Sequence, residues 1–459
     1  MMQRHTPDCL NPSPAGHGAS ARLSSAPQRI YRPAKTRSVS RTTISVPTSI
    51  GGLLCYFAVV CLFFTQTNYV PVSALLFVLL PVYPFLSQKF QGSFDLAMLS
   101  LTACFLFSAV VLDPKSIVDY EFFRRDGNVF VSWAPLLLLS RVQYRIDVAR
   151  ILRWFVVVSA VMCSGLIVAW KLGQLRPGSS EFFHLFYAHN AAGGFLAIAC
   201  GFSLALVHRQ NRMWLWAFAP LLAGLVLTNS RGSILGFGLA VAMVYLVPKR
   251  LTWLVVLVAA LSSVAVLHHG YSKSKGIVDY SDAETWNTSA ELGLGRQHTI
   301  LGRVYGLWPR GIRTWAKSPI VGTGFGSFND APHHYSGWNG VLMWSQGPKI
   351  HSDGHAHHSY VHVLAETGVV GLALLVWFLS CIYKKILDAA GSPTVRAGLL
   401  LGFWTLVFAS FTEHRIVTPS NVLPFTLMLG LMLANANALG GSKVAGGQQN
   451  PGELHAVSG

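Results

Sequence analysis

Residues 351–371 read HSDGHAHHSYVHVLAETGVVG. A dense histidine cluster, His351, His355, His357 and His358, comes first. A helical run follows in which Tyr360, Val361, Leu364 and Val370 are apolar and Glu366 stands among them. Gly368-Val-Val-Gly371 then leads into an unbroken apolar segment. Histidine is the side chain whose unperturbed pKa lies nearest neutral pH, so it can take or give a proton there. Here it sits where a polar loop meets a membrane span, which places candidate acid–base chemistry at a membrane surface.

Outward from this stretch the chain is apolar, with 52% hydrophobic and only 12% charged residues and a mean hydropathy of +0.45. Against 18 Asp and Glu stand 35 Lys and Arg, a formal charge of +17. In a soluble chain that balance points to nucleic acid. Here the basic residues lie mostly between apolar runs, as the positive-inside rule requires, so no nucleic-acid partner is expected. Apart from Cys9, the seven cysteines fall in apolar runs, and no CxxC pair or disulfide framework is indicated.

Residues 1–45 are polar, rich in Pro, Ser and Arg, and read as a disordered basic tail with no secretory signal. About twelve spans of the usual ~20 residues follow, at 46–65, 69–87, 94–112, 128–141, 152–171, 187–207, 213–229, 231–248, 251–268, 359–383, 395–412 and 421–438. The expected organisation is a cytoplasmic tail (1–45), transmembrane helices 1–9 (46–267), a large outer loop (268–358), helices 10–12 (359–438) and a second disordered cytoplasmic tail (439–459). With the N-terminus inside, every cytoplasmic loop carries basic residues: Lys89; Arg141, Arg145, Arg150 and Arg153; Arg209 and Arg212; Lys249 and Arg250; Lys384, Lys385 and Arg396. In the outer loops, Asp113, Asp119, Glu121 and Asp126 offset Lys115, Arg124 and Arg125. An all-α protein of the inner membrane results, with both ends cytoplasmic and the long loop periplasmic. In that loop Leu301, Val304, Trp308, Ile312 and Trp315 recur at helical spacing among Arg303, Arg310, Arg313 and Lys317. This pattern predicts short amphipathic helices lying in the lipid interface, broken or kinked at Pro309 and ended by Lys317-Ser-Pro319.

Arg231, in Thr228-Asn-Ser-Arg-Gly232, sits between two apolar runs at the outer face. It reads either as a snorkelling arginine or as an anion clamp, because guanidinium offers phosphate two parallel N–H donors. Arg303 carries the same pair of readings. Arg124, Arg125, Lys171, Arg176 and Arg415 are further outer cations, which read singly as surface charges and together as a funnel for an anionic ligand. His189 and Asn190 open a span, where they cap it or serve the site. Glu366 and Glu413 are the nearby acids. Glu366 pairs with an outer arginine or sits at headgroup level. Gly322-Thr-Gly-Phe-Gly326 lacks the strand and helix of a dinucleotide fold and reads as a turn. No cysteine joins the histidines and Asp353 is the only carboxylate inside their cluster, so neither a metal nor another cofactor is expected.

Three motifs and the layout carry a resemblance. The motifs are Ser230-Arg231-Gly232 at the outer end of a helical hairpin; Gly302-Arg303 with Trp308 and Ser318-Pro-Ile-Val-Gly-Thr-Gly324; and His357-His358-Ser-Tyr-Val-His-Val-Leu-Ala-Glu366-Thr-Gly368-Val-Val-Gly371. Together with twelve spans and one large periplasmic loop, they resemble the O-antigen ligases and the related O-antigen polymerases over residues 46–438. That family usually has His-Asn where this chain has His357-His358. The resemblance implies a GT-C-like, metal-independent membrane glycosyltransferase. Such an enzyme moves a glycan from undecaprenyl diphosphate to a sugar hydroxyl of lipid A–core or of another glycan. It implies His357 as base, Arg231 and Arg303 as holders of the diphosphate, and His358, Glu366, His189, Asn190, Arg124, Arg125, Glu413 and Arg415 as supporting residues. A polymerase of O-antigen or exopolysaccharide, or a protein O-glycan transferase, shares this chemistry. From another class, a transporter of metal or lipid-linked glycan remains open, though it should place ionisable pairs near the midplane of its spans. The topology has a direct check: a reporter fused at Asn329 should read periplasmic and one at Gly391 cytoplasmic, and a cytoplasmic readout at Asn329 overturns the map.

Overall fold

The computed structural model describes residues 49–65, 92–114, 127–175, 182, 185–186, 189–274, 303–328, 335–338, 343–345 and 356–446. The expected second span, the tail 1–45, and Arg124, Arg125, Arg176, His351 and His355 lie outside them. The helices are α1 (Ile50–Phe64), α2 (Ser93–Phe107, extended by a π turn Ser108–Leu112), α3 (Asn128–Leu139), α4 (Val148–Lys171), α5 (His189–Arg209), α6 (Leu215–Leu227) and α7 (Arg231–Tyr245). They continue with α8 (Thr252–Ser274), α9 (Trp308–Lys317, preceded by a π turn Arg303–Leu307), α10 (Ser359–Asp388), α11 (Pro393–Ala409) and α12 (Pro419–Gly446). Two short antiparallel strands, β1 (Tyr335–Trp338) and β2 (Met343–Ser345), are the departure from an all-helical chain among the described residues. Two helices outrun the apolar runs read in the sequence: α8 continues to Ser274 and α12 to Gly446.

Six segments are long and apolar enough to cross a membrane: Ser93–Leu112, Val148–Lys171, His189–Arg209, Lys249–Lys273, Ser359–Asp388 and Pro419–Leu439. The helices at the other described span positions are shorter apolar helices of 10–17 residues. At 1.5 Å per residue a 12-residue helix such as α3 rises only about 18 Å, less than a ~30 Å hydrocarbon core. Burial is uneven, and the sequence explains why. α5, HNAAGGFLAIACGFSLALVHR, is rich in Ala and Gly and can be surrounded, and α11 and α12 are buried along most of their length. A Cβ at Gly236 of α7 would lie 2.9 Å from the Ala409 backbone of α11, so only glycine permits that crossing.

The hairpin alternation collects the starts of α5, α7, α10 and α12 and the end of α11 at one face. At the opposite face Arg141 pairs with the fully buried Asp95 at 3.0 Å, and Asn437 donates to the carbonyls of Ser140 and Val142.

α10 is broken. Gly368 takes φ +63 and ψ −166, a conformation essentially confined to glycine. The break frees backbone groups that hydrocarbon cannot satisfy. The turn 318–324 satisfies them: Thr323 and Gly324 N–H donate to the carbonyls of Ala365 and Glu366, and Val369 and Val370 N–H donate to those of Pro319 and Ile320. The Gly322–Gly326 stretch is thus a turn, as its composition predicts, and its backbone also completes a transmembrane helix. A Cβ on Gly368 would lie 2.2 Å from the Ile320 carbonyl oxygen. Gly368→Ala should therefore destabilise by at least about 1–3 kcal/mol, seen as a lowered melting temperature in detergent. Gly165→Ala in α4, where a Cβ meets nothing within 4 Å, should be neutral or stabilising. Equal melting of the two variants would remove the strain argument.

Candidate active site

The site forms where the start of α10 meets the link between α11 and α12. Ser359, the first residue of α10, stitches them: its N–H donates to the Ser410 carbonyl (2.8 Å), its hydroxyl donates to the Glu413 carbonyl (3.0 Å), and the same hydroxyl accepts from the Arg415 N–H (2.9 Å). Three successive residues of the link then go to three different neighbours.

Glu413, 5% exposed, bridges two partners. Its Oε2 accepts from His357 Nδ1 at 2.9 Å and its Oε1 from Arg303 Nη1 at 2.8 Å, while Arg303 Nη1 also donates to the Thr412 carbonyl at 2.9 Å. Burial alone would push the Glu413 carboxyl up. The charge of His357 and its hydrogen bond, with the charges of Arg415 and Arg303, outweigh burial and hold it well below the usual carboxylate range. An ionised carboxylate only accepts, so His357 Nδ1 carries the proton and the basic lone pair falls on Nε2. His357 itself stands at φ +47, an uncommon conformation for a side-chain-bearing residue, and its carbonyl accepts from Trp308 Nε1 at 3.4 Å. Arg303 keeps a buried Nε with no hydrogen-bond partner among the described residues.

Arg415, 2% exposed, is spent internally. It donates to the Asn190 carbonyl of α5 and to the hydroxyls of Ser230 (3.1 Å) and Ser233 (2.8 Å) of α7, and Ser230 in turn donates to Asn190 Oδ1. It ties three elements together at the face of the site rather than offering a charge to solvent. His189 opens α5 beside Asn190 and is half-buried. Between Glu413 and Arg415, the His414 ring lies 4.1 Å from that of His362. His362 Nε2 is 3.2 Å from Glu366 Oε2, and Glu366 Oε1 accepts from the Phe328 N–H at 3.0 Å. Glu366 is thus fully buried against a histidine and a backbone amide rather than paired with an arginine in the contacts seen here. Arg310 donates to the Phe328 carbonyl and lies over the Phe328 ring, so α9 packs part of its basic face inward. Pro309 falls in the first turn of α9, where proline is tolerated.

The doubled histidine divides its work. His358 is the N-cap of α10: its Nδ1 accepts from the Val361 N–H (3.3 Å) and its Nε2 lies 3.0 Å from Ser263 Oγ of α8. Burial pushes its pKa well down, which keeps it neutral and able to accept. Asn is among the best N-cap residues, so an Asn at position 358 would fill the same capping role.

Arg231 begins α7 and is exposed, with no ion pair or side-chain hydrogen bond among the described residues. Its neighbour Gly232 packs against the link: a Cβ there would lie 2.4 Å from Thr412 Oγ1 and 3.0 Å from Glu413 Cγ. The N-terminus of α7, with its partial positive charge, therefore abuts the Arg303–Glu413–His357 cluster. Ser230, Ser233, Ser263, His362 and His414 were not foreseen as site neighbours. A hydroxyl pair three apart at the outer end of an apolar helix is the signal that marks Ser230 and Ser233.

Residues 216–376 match the family model described as O-antigen ligase. The chain is also 26% identical over 341 residues to the exopolysaccharide production protein ExoQ of Rhizobium meliloti (strain 1021), covering 65% of this chain and 72% of ExoQ. The resemblance carried by the motifs therefore holds. The family match includes Arg231, Arg303, His357, His358 and Glu366 and stops short of Glu413 and Arg415.

The capping role of His358 has its own test. His358→Asn should keep the cap and melt near the parent, whereas His358→Ala should lose about 1 kcal/mol. If the two melt alike, the cap is not what the imidazole supplies.

Proposed function

We propose that the protein is a membrane glycosyltransferase that takes a glycan from undecaprenyl diphosphate at the periplasmic face of the inner membrane and passes it to a sugar hydroxyl of lipid A–core. What supports this most is the convergence of an oriented base and two arginines at one end of an apolar helix bundle. One arginine is exposed at a helix N-terminus and the other has an unspent buried Nε. Phosphate oxygens take guanidinium donors in pairs, and a buried donor without a partner asks for such an acceptor.

In this reading Arg231, Arg303 and the N-terminus of α7 hold the diphosphate, where negative charge grows as it leaves. The acceptor hydroxyl gives its proton to His357 Nε2 as its oxygen bonds to the anomeric carbon and the bond to the diphosphate breaks. Glu413 holds the His357 ring in the right tautomer and stabilises the imidazolium that forms, while Arg303 fixes Glu413. Asn190, Arg415 and His358 maintain the frame. The diphosphate is itself the activated leaving group, so the reaction draws on no cofactor.

The similarity to an exopolysaccharide production protein favours a second reading with the same chemistry, in which the acceptor is another lipid-linked glycan and the product a polymer. Deleting the gene separates the two. Loss of ligation with intact lipid-linked polymer marks a ligase; single repeat units on carrier or core mark a polymerase.

The site is tested with purified variants and a lipid-linked donor. His357→Ala should lower transfer by about 10²–10⁴-fold while still binding donor. Arg231→Lys and Arg303→Lys should both impair transfer and weaken donor binding, because lysine keeps the charge and loses the fork. Glu413→Gln should lower turnover more than donor affinity. Normal transfer by His357→Ala alongside an inactive, membrane-inserted His358→Ala would move the base by one residue. Normal transfer by both would end the proposed chemistry.

A further inference from the structure

Arg303 and His357 reach the site on two separate arms. One arm is the π turn Arg303–Leu307 with α9. The other is His357 with the stretch of α10 before its break at Gly368. Both arms start at the site and meet again at the break, where the turn 318–324 is bonded to the backbone of Ala365, Glu366, Val369 and Val370. Between these ends the bare backbone of Gly311 lies on Val361, and a Cβ at Gly311 would come within 2.5 Å of Val361 Cγ1. Phe328, Ala356, Val361 and Ala365 form a small buried cluster beside that crossing, with Leu267 and Ile312 packed on it.

A backbone resting on a side chain stops the arms from closing. It does not stop them from spreading about the break. Arg303 stands roughly 20 Å along its arm from Ser318, so a spread of about 3° displaces its guanidinium by about 1 Å. A misplacement of that size at a reacting centre can cost about 10²-fold in rate.

Phe328 spans the two arms. Arg310 Nη2 on α9 donates to the Phe328 carbonyl at 2.6 Å, and the Phe328 N–H donates to Glu366 Oε1 on α10 at 3.0 Å. The ring also meets both arms: its centroid is 4.4 Å from the Arg310 guanidinium and 5.2 Å from the His362 ring. A cation holds the carbonyl and an acid holds the amide, and hydrogen bonds to charged groups are the stronger kind. All three residues are buried, Arg310 at 6% exposed and the other two at 0%. The α10 end is braced in turn, since Ser108 Oγ of α2 donates to the Glu366 carbonyl and His362 Nε2 lies 3.2 Å from Glu366 Oε2.

We propose that Arg310 and Glu366 are positioning residues for the transfer reaction, gripping Phe328 from α9 and from α10 so that the arms hold Arg303 and His357 at a set separation. The inference rests on the roles given to Arg303 and His357 above. The mechanism uses neither Arg310 nor Glu366 on the substrate, and burying two charges is costly unless each is paired and hydrogen-bonded.

Two measurements on the full chain in nanodiscs test the grip. The first needs no substrate. In the parent, the amides of 305–314, 323–328 and 359–366 should exchange as one cooperative unit as denaturant rises. In Arg310→Met all three should exchange at least about tenfold faster, whereas Lys317→Met, which removes an exposed cation from the same helix, should match the parent. Opening of 323–328 by itself, in the parent or in Arg310→Met, overturns the proposal. The second is steady-state transfer from a lipid-linked donor. Arg310→Met and Glu366→Leu should each lower kcat about 10²-fold, and the double variant should fall little further, because losing either end releases Phe328. Arg310→Lys and Glu366→Gln keep a donor and an acceptor in place and should stay within about fivefold of the parent. With Arg303 drawn away from Glu413, the carboxylate acts on His357 less opposed, so the acid limb of kcat/KM in Arg310→Met should move to higher pH. Loss of folded protein lowers the rate and leaves that limb in place. A lower rate with an unmoved limb, or losses that multiply in the double variant, would return Arg310 and Glu366 to ordinary packing. If the three segments open together but the parent transfers from no lipid-linked donor, the failure is of the glycosyltransferase reading and not of the brace between the arms.

Discussion

The ion pair and hydrogen bond made by one buried carboxylate organise the site. Glu413 is taken out of water, which is costly for a charge unless it is paired and hydrogen-bonded. Both oxygens are used, one by His357 and one by Arg303. The interaction joins a loop before α9, the residue before α10 and the link after α11, three places far apart in the chain. It also decides protonation, since an anion at Nδ1 leaves His357 one tautomer. Arg415, two residues on, uses the same link to bind α5 and α7. A chain without these side chains would still bundle its apolar helices, but it would lose the ties that run from the α11–α12 link to His357, Arg303, α5 and α7.

The histidine pair, the two arginines and the general layout were legible because they lie in local patterns: a motif of fixed spacing, an arginine in an apolar hairpin, basic loops alternating with spans. Glu413 and Arg415 were legible as outer polar residues, but not as the hub and the tie they are. Their partners are 56 residues away in the case of His357, and 225 and 182 in the cases of Asn190 and Ser233. Periodicity carries no information at that range. The inward turn of Arg310 on α9 was hidden for a similar reason. Its alternating Arg and Trp residues fit a lipid surface equally well, and only the buried carbonyl of Phe328 accounts for Arg310 turning inward. Gly322-Thr-Gly324 was read as punctuation because a turn is the commonest use of such a run, whereas its amides serve a helix break more than 40 residues on.

Glycine at 368 was read only as a lead into a span. A lone glycine in an apolar run is tolerated in a helix at a cost of about 1 kcal/mol, so sequence gives no reason to expect a break there. The preceding turn supplies it by offering two amides and two carbonyls in the places where the helix would have supplied its own.

The break sets a height. Beyond Gly368, the residues Val369–Asp388 form a continuous helix that rises about 30 Å, the whole thickness of a hydrocarbon core. The turn from Ser359 to Thr367 rises about 13 Å more, in a new direction chosen by the Gly368 backbone. On the proposed function, the base is therefore carried on a short mast beyond that helix, and the break is its footing. Lengthening or shortening that mast by one helical turn would lift or lower His357 Nε2 by about 5.4 Å. On the proposed function, a carrier lipid fixed in the leaflet would then present its first sugar at the wrong level, so the count of residues between His357 and Gly368 would act as a gauge of how far from the bilayer a glycan is joined.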